Sequence, residues 1–109
     1  MNAIKAAKNQ TLFREVNERI RNLDCSVSRA EFVCECVRPE CSEKIEMSLA
    51  EYEEIRRVPN HFLVAAGKDH FLPDVERIFE TYRGYWVVEK YGQARAEATR
   101  LDPRRRAEI

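Results

Sequence analysis

Apolar residues recur at helical spacing near the start of the chain. Leu12, Phe13, Val16, Ile20 and Leu23 share one side, while Arg14, Glu15, Glu18, Arg19 and Arg21 occupy the other. This predicts an N-terminal amphipathic helix over residues 1–24 whose apolar stripe lies on a sheet, because so short a chain must first cover its own sheet. From Ala30 the period changes to two. Phe32, Cys34 and Cys36 fall on one face and Glu31, Val33 and Glu35 on the other, after which Arg38-Pro-Glu turns the chain into Ser42-Glu-Lys-Ile-Glu-Met47. The pattern predicts a β-hairpin with cysteines at its tip. Ser48-Leu-Ala-Glu51 matches a capping box and opens a short helix over 49–57, with Leu49, Tyr52 and Ile55 inward and Pro59 as the stop.

Phe62-Leu-Val-Ala-Ala66 is a continuous apolar run ending in Gly67, as a central strand would be. Residues 75–82 and 85–91 are rich in aromatic and β-branched side chains and are joined by Arg83-Gly84, which predicts a second hairpin. A helical reading of 73–82 competes, since Val75, Ile78, Phe79 and Tyr82 also fit a period of 3.6. After Gly92 the chain is a helix-prone, polar, arginine-rich tail over 93–109, whose end, Asp102-Pro-Arg-Arg-Arg106, lacks an apolar face and is expected to fray. The expected architecture is one α+β domain over 1–109. Its core at 30–92 is a small, mainly antiparallel sheet with a cysteine-bearing hairpin, on which the N-terminal amphipathic helix and a short central helix pack.

Composition narrows the function classes. Nineteen basic residues balance nineteen acidic ones in 109, so no global field steers the protein to nucleic acid or an anionic membrane. The basic N-terminus is followed by neither an apolar core nor a small-residue cleavage site, and no run is long enough to span a bilayer. A cytoplasmic protein is the expectation, and there clustered cysteines serve metal or redox chemistry more often than disulfides.

That cluster is the main chemical signal. Cys34, Cys36 and Cys41 stand in the pattern C-x-C-x4-C, and residues i and i+2 of a strand lean to one side while a turn can return the third thiol. Zinc takes four nitrogen or sulfur ligands. His70, beyond the Phe62 strand, ranks first as the fourth, followed by Cys25 and then His61. The spacing lacks the paired C-x2-C knuckles of zinc ribbons, which leaves open unlinked thiols and a Cys36–Cys41 redox pair. A catalytic zinc would need an open position and a base; Glu35 and Glu40 are the nearest carboxylates, and both are expected to face solvent. No glycine-framed serine or phosphate loop is present. The sequence therefore reads as a zinc-stabilised, non-enzymatic binding or regulatory module, with a thiol redox sensor and a small metal-dependent hydrolase as alternatives. No small-molecule substrate is implied. Tyr85, Trp86, Arg104, Arg105 and Arg106 are the expected partner surface, for a protein more than for nucleic acid, because Tyr82, Tyr85 and Trp86 cannot all face a core in a period-two hairpin.

The succession Arg14-Glu-Val-Asn-Glu-Arg-Ile20, Phe32-x-Cys-Glu-Cys-x4-Cys41, Ser48-Leu-x-Glu-Tyr52, Phe62-Leu-Val64, Val75-Glu-Arg77 and Tyr85-x-Val-Val-Glu-Lys90 resembles a group of short, uncharacterised bacterial proteins commonest in actinobacteria. It implies no established activity and no catalytic residue. Members of that group tend to hold a histidine just after the glycine that ends the Phe-Leu-Val strand; here that place is Lys68, and the nearest histidine is His70.

Overall fold

A computed structural model describes residues 3–23 and 28–104 of the chain. Cys25, Arg105 and Arg106 lie outside the described residues. The elements run α1 (Ala3–Leu23), β1 (Arg29–Val33), β2 (Lys44–Ser48), α2 (Leu49–Arg56), β3 (His61–Ala65), a single 3-10 turn (Lys68–His70), β4 (Glu76–Tyr82), β5 (Tyr85–Lys90) and α3 (Gly92–Arg100). This is the expected α+β arrangement of helices on small antiparallel sheets, but the strands form two sheets. One is the β1-β2 hairpin; the other has the order β3-β5-β4.

Several elements form for the reasons visible in the sequence. Ser48 caps α2 in a full capping box: its hydroxyl accepts from the Glu51 amide at 3.0 Å while the Glu51 carboxylate accepts from the Ser48 amide at 2.9 Å. Residues 76–82 are a strand, so the competing helical reading falls, and Gly84 turns the chain at φ 91° into β5. Between Ile78 and Glu80 the register slips, leaving Phe79 as a bulge. The core gathers Phe32, Ile45, Met47, Tyr52, Phe62, Leu63, Val64, Val87 and Val88, with the Phe32 and Tyr52 rings stacked 4.3 Å apart.

Three expectations need correction. First, α1 lays only part of its apolar stripe on the core: Ile20 packs there half-buried, and the rest of the stripe does not. Leu12, Val16 and Leu23 are exposed, and the helix buries Ala6, Ala7, Gln10, Thr11, Arg14 and Asn17 instead. The reason is the backbone beneath it. Asn17 accepts from the Val33 amide at 2.7 Å and donates to the Val33 carbonyl at 2.8 Å, as a neighbouring strand would. Gln10 donates to the Glu35 carbonyl, Asn9 to the Val37 carbonyl, and Arg14 to the carbonyls of Pro59 and His61 while its guanidinium lies 3.7 Å from the centre of the Phe62 ring. The burial of those polar groups requires partners that leucine and valine lack.

Second, β3 is fully buried although it stands at the end of its sheet. Its outer edge is covered by the cysteine loop: the Glu35 amide donates to the Leu63 carbonyl at 2.7 Å, and the Leu63 amide donates to the Glu35 carboxylate at 3.0 Å. Third, the segment after Gly92 forms the helix its residues favour, but Asp102 to Arg104, expected to fray, are docked. α3 packs on α1 with Ala94 and Ala98 buried. Asp102 is buried and pairs with Arg56 at 2.6 Å, while Arg104 bridges Glu18 of α1 and Glu53 of α2. An apolar face is not required when small side chains and paired charges close the contact.

Candidate metal centre

The ten residues 34–43 joining β1 to β2 carry all three clustered cysteines. β1 ends at Val33, earlier than the alternation predicts, because Glu35 swings into the edge of β3. The Cys34 amide continues the hairpin one step by donating to the Glu43 carbonyl at 3.0 Å, and the Cys41 amide closes the Arg38 turn by donating to its carbonyl at 3.1 Å. The loop is thereby clamped at both ends. Cys34 and Cys36 are buried and Cys41 is half-exposed.

His70 reaches the loop from the far end of β3. Gly67 follows that strand at φ 131° and ψ 154°, a conformation that side chains other than hydrogen disfavour, and the 3-10 turn Lys68–His70 starts there. The His70 amide donates to the Gly67 carbonyl at 3.2 Å, which fixes the imidazole beside the thiols. Ligand atoms of Cys34, Cys36, Cys41 and His70 all lie within 4.8 Å of one another, close enough to hold one metal ion. Nδ1 of His70 is 3.6 Å from both Cys34 Sγ and Cys41 Sγ. A tetrahedral zinc with Zn–S of about 2.3 Å and Zn–N of about 2.0 Å has sulfur-to-nitrogen edges of roughly 3.6 Å, so the donor set fits without rearrangement at those two edges.

Two further features suit anionic sulfur. The Ala65 amide donates to Cys34 Sγ at 3.2 Å, a contact that favours a thiolate over a thiol. The Cys36 thiol is pulled down to about 5, first by the hydrogen bond from Cys34 and further by His70, against burial, which pushes it up. Cys34 is pushed up by sharing that proton with Cys36 and by burial, and Cys41 mainly by burial. A bound dication would favour all three thiolates.

Glu35 is the residue the sequence misplaces. Expected to face solvent, it has no exposed surface. Its carboxylate accepts from the Leu63 amide at 3.0 Å and the Asn17 amide group at 2.8 Å, with Arg14 Nε at 4.0 Å. It therefore ties α1, β3 and the cysteine loop together from between two candidate ligands and cannot act as a base towards solvent. The polar series Gln10, Arg14, Asn17 has helical spacing of its own, but nothing local in it points to Glu35. Glu40 is exposed and pairs with Arg38 at 3.2 Å.

His61 stands apart from the cluster, buried against Phe79 with Nε2 2.8 Å from Glu89. On the expected partner surface, Tyr85 is buried and donates its hydroxyl to Glu51 at 3.2 Å, and Trp86 is half-buried against the core. Tyr82 is the exposed ring of the group, stacked on Tyr85 at 4.8 Å. Arg104 is held by Glu18 and Glu53. Among the described residues no helix is long and apolar enough to cross a membrane. Comparison of the chain with protein-family models, with curated proteins and with solved structures finds no match.

Proposed function

We propose that this protein is a small non-enzymatic binding or regulatory module whose cysteine loop is locked by a structural zinc ion on Cys34, Cys36, Cys41 and His70. The observation that carries the reading is the convergence of three sulfurs and one imidazole nitrogen within 4.8 Å at zinc-compatible edges. Three thiolates and one imidazole suit a borderline-soft ion, and four protein ligands leave no position for a reacting water, which favours structure over hydrolysis. Bound zinc would supply a cross-link between the hairpin loop and the end of β3. Cys41 and His70 border a polar cleft of about 280 Å³ with Arg38, Glu43 and Asp69, so the ion would be reached from that side.

The test is elemental analysis of purified protein with a thiol count. Close to one zinc per chain is expected. Cys36→Ser and His70→Ala should each lower both occupancy and melting temperature, and cobalt substitution should give the visible absorption of a tetrahedral thiolate site. Protein that takes up no zinc and melts unchanged would overturn the proposal. Rapid, reversible Cys36–Cys41 disulfide formation by peroxide in zinc-loaded protein would favour the redox sensor, for which the half-exposed Cys41 beside buried Cys36 is the relevant feature.

A further inference from the structure

We infer that zinc occupancy and the docking of α1 are coupled, so that the metal acts as a regulatory ligand whose presence is read out by that helix. This role rests on the zinc reading above and concerns the regulation of the same site.

The coupling element is the extended segment 33–37, in which ligand residues and helix-binding residues alternate. Cys34 and Cys36 belong to the metal cluster, whereas Val33, Glu35 and Val37 are held by α1. Asn17 bonds both backbone groups of Val33, at 2.7 and 2.8 Å, and donates to the Glu35 carboxylate at 2.8 Å. Gln10 donates to the Glu35 carbonyl at 3.0 Å and Asn9 to the Val37 carbonyl at 3.1 Å, while the Val37 side chain shares a small apolar cluster with Ala6. The helix therefore runs antiparallel to the segment and grips every second residue, as the period of an extended chain requires.

Two of these hydrogen bonds bear directly on the ligands. The Val33 carbonyl lies in one peptide plane with the Cys34 amide, and the Glu35 carbonyl in one with the Cys36 amide. A peptide unit is planar and stiff, so a side chain of α1 that fixes the carbonyl also fixes the Cα from which the thiol projects. An ion held by both sulfurs and a helix held by both carbonyls thus favour one geometry of the same five residues. β3 supports that geometry from a third side, through the Glu35 amide and through the Ala65 amide on Cys34 Sγ. By linkage the effect is reciprocal: whatever zinc adds to the docking of α1, α1 adds to the affinity for zinc.

The contact is suited to reporting. It is made by amides and a guanidinium on backbone groups, while α1 leaves Leu12, Val16 and Leu23 exposed. Hydrogen bonds weaken steeply with misalignment, and their groups bond water when the helix lifts, so a small shift of the segment is enough to loosen it. The ion is also reachable. Cys41 and His70 are half-exposed at the polar cleft, so zinc can enter and leave without opening the core.

Hydrogen exchange read by mass spectrometry compares zinc-loaded protein with protein stripped by a chelator, and competition with a chromophoric chelator reads zinc affinity. Removing zinc should speed exchange of the α1 amides over residues 9–17 at least about tenfold while the β4–β5 hairpin keeps its protection. Asn17→Ala should lower zinc affinity at least about tenfold, although Asn17 is not a ligand. Val88→Ala separates this from general destabilisation: Val88 is fully buried in β5, paired with Phe62 and Ile78 rather than with 33–37, and its change should lower the melting temperature and leave zinc affinity at the wild-type value. The exchange comparison needs no variant, so it decides the matter even if Asn17→Ala fails to fold. Equal α1 exchange with and without zinc would overturn the coupling. So would loss of protection spread evenly over the chain, an Asn17→Ala protein that binds zinc like wild type, or an equal loss of affinity in Val88→Ala. Protein that takes up no zinc overturns the metal reading and the coupling together, and elemental analysis distinguishes that result from a bound ion that α1 does not sense.

Discussion

Replacing Glu35 by glutamine tests whether the buried carboxylate organises the metal loop. The change conserves shape but converts one acceptor oxygen into an NH2 group. One oxygen now accepts from the Leu63 amide and the other from the Asn17 side chain, so whichever way the new amide turns, a donor faces a donor. A buried donor left unmatched costs about 1–3 kcal/mol. Arg14 also loses its facing charge at 4.0 Å; burial already pulls that guanidinium down to about 10, against the pull of Glu35, and only backbone carbonyls and the Phe62 ring would remain. A combined cost of about 2–4 kcal/mol is a large share of the roughly 5–15 kcal/mol stability of a domain this size. At about 4–8 °C per kcal/mol for small domains, the melting temperature should fall by roughly 8–32 °C. Because Glu35 stands between two candidate ligands, zinc affinity should fall by about 10–100-fold as well. Thermal unfolding followed by circular dichroism, with and without chelator, reads the first effect, and competition with a chromophoric chelator reads the second. Glu40→Gln is the control; Glu40 is exposed on the same loop with a solvent-screened ion pair, and its change should leave melting temperature and zinc affinity at wild-type values. Should Glu35→Gln melt within about 2 °C of wild type and bind zinc equally well, the reasoning about the loop is wrong.

Gly67→Ala should lower both melting temperature and zinc affinity, because its φ of 131° is strained for any Cβ even though nothing crowds the position; the strain is on the order of 1–3 kcal/mol and would be relieved by displacing His70. Acid should weaken the clasp between α1, α2 and the C-terminal segment. The hydrogen bond from Arg104, outweighing burial and aided by Arg21, holds Glu53 at about 2, below its ordinary 4.5. Glu18 and Asp102 are also lowered: burial raises each, and their arginine partners overcome it. For depressed carboxylates the stabilisation is complete above the unfolded value and is lost as pH falls through the folded one, so unfolding monitored between pH 4.5 and about 2 should show this loss for Glu53. Glu53 is more than a third exposed, so its share is modest, and Arg104→Ala should flatten the profile in that window. A profile identical to wild type would refute the clasp.

The elements set by local chemistry were legible in the residues themselves. The capping box placed the start of α2, period-two runs and Arg83-Gly84 marked β4 and β5, and the spacing of Cys34, Cys36 and Cys41 pointed to one shared site with His70 as its complement. These signals act over a few residues, where side-chain geometry and backbone preference suffice. The facing of α1, the depth of Glu35 and the docking of the C-terminal segment were decided only in the tertiary structure. Each depends on unsatisfied groups contributed from far along the chain: the β1 edge and the cysteine loop call for amides from α1, and buried Arg56 calls for Asp102. Apolar periodicity records which face of a helix is oily. It does not record which face meets backbone donors and acceptors, and where those must be matched, hydrogen bonding outweighs the transfer of three aliphatic side chains from water.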